Sequence, residues 1–175
     1  MRKLKVTELN RISVEEFKEA QKLPLVVVLD NVRSVYNVGS VFRTCDAFRI
    51  ESIYLCGISA QPPQVELHKT ALGAEFTVDW KYFKDTKEAV RSLQQQGYIV
   101  YSVEQAEGSI MLQDLTLDKT QKYAIVMGHE VKGVQQEVVD MSDGCIEIPQ
   151  YGTKHSLNVS VTTGIVIWDL FKKLK

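Results

Sequence analysis

The run Leu25-Val-Val-Val-Leu29 leads straight into Asp30-Asn-Val-Arg-Ser-Val-Tyr-Asn-Val-Gly-Ser-Val-Phe-Arg-Thr-Cys-Asp46, and the pattern changes between the two. The first five residues are apolar at every position and mostly β-branched. A strand of that kind is buried on both faces, as the interior of a parallel sheet requires. From Val38 the apolar residues recur as Val38, Val41, Phe42, Cys45 and Phe48, the spacing of one helix face. A buried strand followed by an amphipathic helix is half of a βαβ unit.

The same alternation extends outward. Ser13-Val-Glu-Glu16 reads as a capping box for a short helix that ends before Pro24. Strands are expected at 52–56, 76–80, 98–103, 123–127 and 145–148. Helices are expected at 65–72, from Asp85 to Gly97, between the last two strands, and at 158–173. Residues 104–121 read as a loop with one turn. The expectation is a single α/β domain over 1–175, a mainly parallel sheet flanked by helices, with residues 1–23 as a short N-terminal extension.

Composition excludes several classes. With 45% apolar and 25% charged residues the chain has ordinary globular usage, so disorder is not expected. The apolar runs are too short for a membrane span. The basic start Met1-Arg-Lys-Leu-Lys-Val6 has no apolar region behind it, so a cytoplasmic protein without membrane attachment is expected. Cys45, Cys56 and Cys145 are odd in number and form no C-x-x-C, which points to reduced, buried thiols. His68, His129 and His155 lack ligand spacing, and no metal is expected. The P-loop, the dinucleotide fingerprint, H-E-x-x-H and G-x-S-x-G are all absent. A net charge of −1 leaves nucleic-acid binding to local clusters such as Arg2, Lys3 and Lys5, or Lys81, Lys84 and Lys87, or Lys172, Lys173 and Lys175.

Three polar, glycine-marked segments each follow a buried strand, where ligands bind in open α/β sheets. In the first, Asn37 can cap the helix. Arg43 lies opposite the apolar stripe, and Gly39, one turn earlier, leaves room beside the guanidinium. A helix N-terminus with an arginine can hold an anion, although a capped helix with an exposed arginine reads equally as ordinary structure. The second segment is Gly128-His-Glu-Val-Lys-Gly133-Val134, either backbone closing on a ligand or a plain strand-to-helix turn. The third is Ile148-Pro-Gln-Tyr-Gly152-Thr-Lys-His-Ser156-Leu-Asn158-Val-Ser160, leading into the last helix. Ser156, Ser160, Thr163 and Gly164 form a stripe of small residues that would admit another backbone or pack inside the domain.

Together these segments resemble the three motifs of the SpoU/TrmH family of the SPOUT superfamily. Asn37, Gly39 and Arg43 match the first motif. Gly128, Glu130 and Gly133 match the second. Ile148, Pro149, Gly152 and Ser156-Leu-Asn-Val-Ser160 match the third. Order and spacing agree over residues 25–172. The second motif departs at His129, usually Asn, and at Val131, usually Gly, which would reshape that loop.

The resemblance implies a C-terminal trefoil knot, S-adenosyl-L-methionine (SAM) bound in a bent form, and a homodimer with its site at or near the subunit interface. It implies methyl transfer to a ribose 2′-hydroxyl of an RNA substrate, tRNA or rRNA. Gly128, Ile148 and Leu157 would hold the cofactor, with Asn158 as a polar neighbour. Arg43 corresponds to the family's catalytic arginine, often assigned as the base. Asn37 and Ser156 would place substrate phosphate or ribose, and Glu130 would orient Arg43 or a facing subunit. A guanidinium loses its proton only above about 12, so a fixed cation that stabilises the developing alkoxide asks less of the protein. The competing readings are a non-catalytic RNA-binding module of the same fold, a SPOUT base methyltransferase, and a small-molecule methyltransferase.

Overall fold

A computed structural model describes every residue from Met1 to Lys175. The strands are β1 (Leu23–Asp30), β2 (Ile50–Cys56), β3 (Asp79–Phe83), β4 (Tyr98–Val103), β5 (Ile110–Met111), β6 (Lys122–Met127) and β7 (Gly144–Glu147). They form one sheet in the order β3-β2-β1-β6-β4-β7-β5. Every pairing is parallel, so the expected mainly parallel sheet is parallel throughout.

The helices are α1 (Val14–Glu19), α2 (Val35–Ala47), α3 (Val65–Ala71), α4 (Ala74–Thr77), α5 (Thr86–Gln95), α6 (Gln136–Met141) and α7 (Val159–Leu174). Successive side chains of β1 enter two separate cores. Leu25, Val27 and Leu29 pack with α2, α3 and α7, and Phe17 of α1 reaches the same cluster. Val26 and Val28 pack on the other face with Ala89, Val90 and Leu93 of α5 and Val138 of α6. That two-sided burial is why no polar residue interrupts the run. No helix is long and apolar enough to cross a membrane.

Three expectations are corrected. The strand expected at 76–80 begins as helix: α4 holds Phe76 and Thr77, and pairing with β2 starts at Asp79. Local side-chain bonds favour the helical turn here. The Thr77 hydroxyl donates to Ala74 O, and Glu75 accepts from Gly73 N at 2.9 Å. Residues 104–121 hold more than a turn, because β5 adds to β7 and a 3₁₀ turn at Leu112–Asp114 buries Leu112. Helix α2 starts three residues before Val38. Its N-cap is Ser34, whose hydroxyl accepts from Asn37 N at 3.3 Å, so Asn37 lies inside the first turn rather than at the cap.

Candidate functional site

The carboxyl ends of β4, β6 and β7 open into a cleft of about 700 Å³. Its walls are residues 103–107, 127–134, 146–148 and 155–157, so the second and third glycine-marked segments face each other across it. Gly128, Glu130, Ile148, Ser156 and Leu157 all line it. Gln105 donates from Nε2 to His155 O at 2.6 Å and ties the two rims together.

The 128–134 loop is folded on itself. His129 and Gly133 exchange two backbone hydrogen bonds, at 3.1 and 2.8 Å. A Cβ on Gly128 would lie 2.2 Å from both Gly133 C and Val134 N, and Gly133 has φ +68° with Glu104 Oε2 in the place of a side chain. These glycines therefore admit the loop's own backbone and Glu104, while both also line the cleft. The two departures from the family pattern are accommodated. Val131 projects into solvent at 71% exposure and has no positive φ. His129 Nδ1 accepts from Val131 N at 3.0 Å and Lys132 N at 3.2 Å, the role an asparagine side chain plays in an Asx turn.

Glu130 turns from the cleft wall onto the start of α2. Its carboxylate accepts from Arg33 N at 2.9 Å, Ser34 N at 2.8 Å and Asn37 Nδ2 at 3.0 Å. Partial burial alone would raise its pKa. The donors from Ser34, Arg33 and Asn37 outweigh that and hold the carboxyl below the usual glutamate value. Glu130 thus contacts the helix that carries Arg43 and not Arg43 itself. Asn158 caps α7, with Oδ1 accepting from Ser160 N at 2.9 Å and Val161 N at 3.3 Å, and its Nδ2 donates to Asn37 Oδ1 at 3.3 Å. It is not on the cleft wall. Asn37, Glu130 and Asn158 form one connected row.

Arg43 is exposed and lies outside the cleft, in a shallower groove between α2 and α3. The space expected beside it at Gly39 is taken: a Cβ there would meet Thr70 Oγ1 at 2.1 Å and Leu67 O at 2.4 Å. The glycine lets α3 pack on α2. The small-residue stripe also separates. Ser156 precedes the helix, Thr163 is buried in the core, and Gly164 faces open space. Burial pushes the Cys56 thiol up to about 12 and raises Cys45 further, so both are inert. Cys145 is only half-buried, with Sγ 3.4 Å from Glu104 O.

Sequence reasoning missed Glu104 and its neighbours as a cleft wall. They directly follow β4, and the rule that singled out the other segments could have found them.

The chain is thus an all-parallel α/β sheet with a ligand-sized cleft at its strand ends, built from a self-closing glycine loop and the approach to the last helix. The model of the SpoU rRNA methylase family matches residues 24–168, and the chain belongs to that family. It is 30% identical over 163 residues to the tRNA (guanosine(18)-2′-O)-methyltransferase of Thermus thermophilus, covering 93% of this chain and 82% of that protein. It is 30% identical over 167 residues to a 23S rRNA (guanosine-2′-O-)-methyltransferase of Vibrio vulnificus, covering 95% and 66%. Among solved structures, the Aquifex aeolicus TrmH/SpoU tRNA modifying enzyme superposes with TM-score 0.79 at 27% identity, covering 91% of this chain and 79% of that one. An AdoMet-bound rRNA methyltransferase of Sinorhizobium meliloti gives 0.80 at 27% identity, covering 91% and 60%.

Proposed function

We propose that the protein is a SAM-dependent RNA methyltransferase that modifies a ribose 2′-hydroxyl of tRNA or rRNA. The observation that carries this reading is the row Glu130–Asn37–Asn158, which joins all three motif segments and reaches the cleft through Glu130. Relatives at 30% identity are named as 2′-O-methyltransferases of tRNA and of rRNA, and a superposing structure is described as AdoMet-bound.

The cleft fits such a cofactor. Its volume of about 700 Å³ is that of a small-molecule site. The backbone at Gly128, Ile148 and Leu157 supplies polar groups suited to an adenine and ribose. Glu107, on the wall with no ion pair or hydrogen bond of its own, suits a ligand carrying positive charge. When bound, the cofactor supplies a methyl group activated by its sulfonium. Ser156, exposed at the rim, is placed to orient the ribose or its phosphate. The 2′-oxygen would take the methyl as the sulfonium's S–CH3 bond breaks to leave the thioether, its proton passing to solvent water, and Arg43 would act as a fixed cation that stabilises the charge on that oxygen. No group of three His, Cys, Asp or Glu side chains gathers as metal ligands, and the proposal includes no metal.

Within one chain Arg43 and the cleft stand apart, so the reading includes a homodimer in which a second copy brings its arginine to the cleft. Exposed Val161, Ile165 and Trp168 form an apolar stripe along α7, and exposed Leu157 lies just before the helix. Trp168 packs against Phe48, with ring centroids 5.9 Å apart, and Phe48 lines the Arg43 groove. An isologous contact through this stripe would carry the groove with it. The single domain over 1–175, the family's C-terminal trefoil knot and a cytoplasmic setting are part of the same proposal.

Mass spectrometry of nucleosides from tRNA and rRNA, with and without the gene, tests it. A ribose-methylated nucleoside disappears with the gene. A lost base methylation points instead to a base methyltransferase, and an unchanged profile overturns the assignment. Calorimetry with SAM and S-adenosylhomocysteine separates the enzyme from a pure RNA-binding module, which has no need of either.

A further inference from the structure

The groove beside Arg43 holds a second cation. Its walls, about 420 Å³ of space, bring together Arg43, Ser40 and Thr44 of α2 with Lys69 and Thr70 of α3; the two other wall residues are apolar and none is acidic. Thr44 donates its hydroxyl proton to Ser40 O at 3.1 Å and Thr70 donates to Tyr36 O at 2.9 Å. That leaves Arg43, Lys69 and the Ser40 hydroxyl without partners inside the protein.

Four of the nine clustered cations are engaged in ion pairs. Lys172 and Lys173 both pair with Asp169, at 3.3 and 2.6 Å, and Lys173 also donates to Leu112 O. Arg2 pairs with Glu8 at 2.8 Å, and Lys87 with Asp85 at 3.6 Å. Arg43 and Lys69 form no ion pair. Asp46, one turn after Arg43, accepts from Thr77 Oγ1 at 2.6 Å. Two unpaired cations with a hydroxyl, on helices held in fixed register by the Gly39–Thr70 contact, make a site for a doubly contacted oxyanion.

We propose that Lys69 is a substrate-positioning residue that, together with Arg43, grips a backbone phosphate of the RNA next to the methylated ribose. This rests on the RNA methyltransferase reading. Lys69 sits outside the cofactor cleft, so it acts on RNA placement and not on the cofactor.

The test uses total RNA from cells lacking the gene, tritiated SAM, and filter binding across a salt series. In Lys69→Gln the KM for RNA rises about ten-fold near physiological salt, kcat changes less than about two-fold, and the slope of log binding constant against log salt flattens by about one. Lys69→Arg restores the slope. Affinity for SAM by calorimetry and the melting temperature stay at wild-type values, because Lys69 is exposed and makes no internal bond. If the wild-type protein transfers no methyl to this RNA, the functional reading fails and the inference with it. If the wild type is active and Lys69→Glu keeps the wild-type KM and slope, the Lys69 assignment alone is overturned.

Discussion

The Asn158 side chain donates to Asn37 Oδ1 at 3.3 Å, and Asn37 donates in turn to Glu130 at 3.0 Å. One amide at the start of α2 therefore joins the last helix to the loop after β6. Replacing Asn37 with Ala removes both bonds, one to the part-buried Glu130 carboxylate and one to the exposed Asn158 amide. Such bonds contribute about 0.5–1.5 kcal/mol each, so Asn37→Ala should lose about 1–3 kcal/mol in urea denaturation. Asn37→Asp places a second carboxylate against Glu130 and should be worse. Equal stability of Asn37→Ala and wild type would remove the row as a structural link.

Glu130 gives this link a pH dependence. Its folded-state pKa lies below the ordinary value, because donors from Ser34, Arg33 and Asn37 outweigh the effect of burial. The stability it confers is complete above the unfolded-state pKa and is lost as pH falls through the lowered folded value. Glu130→Gln should therefore be less stable than wild type at neutral pH, and the gap should narrow on acidification. Denaturant unfolding from neutral to acid pH measures this. A gap independent of pH would mean that charge at Glu130 contributes nothing.

Arg43→Ala should lower kcat by about 10²–10³, the scale for one charge-stabilising donor. Calorimetric affinity for SAM should be unchanged, since Arg43 does not line the cleft. Arg43→Lys recovers part of the rate if charge suffices, and little if the planar fork must grip a phosphate. The product linkage should resist alkali, because its 2′-oxygen is blocked. Full activity in Arg43→Ala would end the assignment.

If the arginine and the cleft that meet come from different chains, two dead variants should rescue each other. Mixed Arg43→Ala and Ser156→Ala proteins, unfolded and refolded together, should regain a fraction of wild-type activity as hybrid dimers form. Light scattering should give about twice the chain mass for wild type. Trp168→Glu on the apolar α7 stripe should shift it toward one. A monomer with full activity would show that each chain completes its own site.

The two-sided burial of β1 made the sheet legible, since only an interior strand tolerates Leu25 to Leu29 without a polar residue. Phe76 to Trp80 misled because its apolar residues alternate like a strand, whereas the side chains of Glu75 and Thr77 bond their own backbone. β5 has two residues, too few for any period to register. At α2, Ser34 and Asn37 are both good caps. The choice between them depends on Glu130, which arrives from the end of β6 and which no local pattern reveals. Motif residues were found where spacing marked them. Their distribution was not: Gly39 serves α3, Asn158 serves Asn37, and Lys172 and Lys173 share Asp169. Those outcomes depend on tertiary neighbours, which periodicity does not encode.

β1 lies in the interior of the sheet, and its partner on one side is β6, with Leu25 opposite Tyr123, more than half the chain away. During synthesis β1, β2 and β3 emerge as a sheet whose most apolar strand stays open along one side until β6 arrives. Closing so long a loop before any pairing rewards it makes maturation slow, and the open strand can meanwhile capture a neighbouring nascent chain. Slowing elongation between residues 30 and 122, or raising chaperone supply, should then change the yield of folded protein in cells.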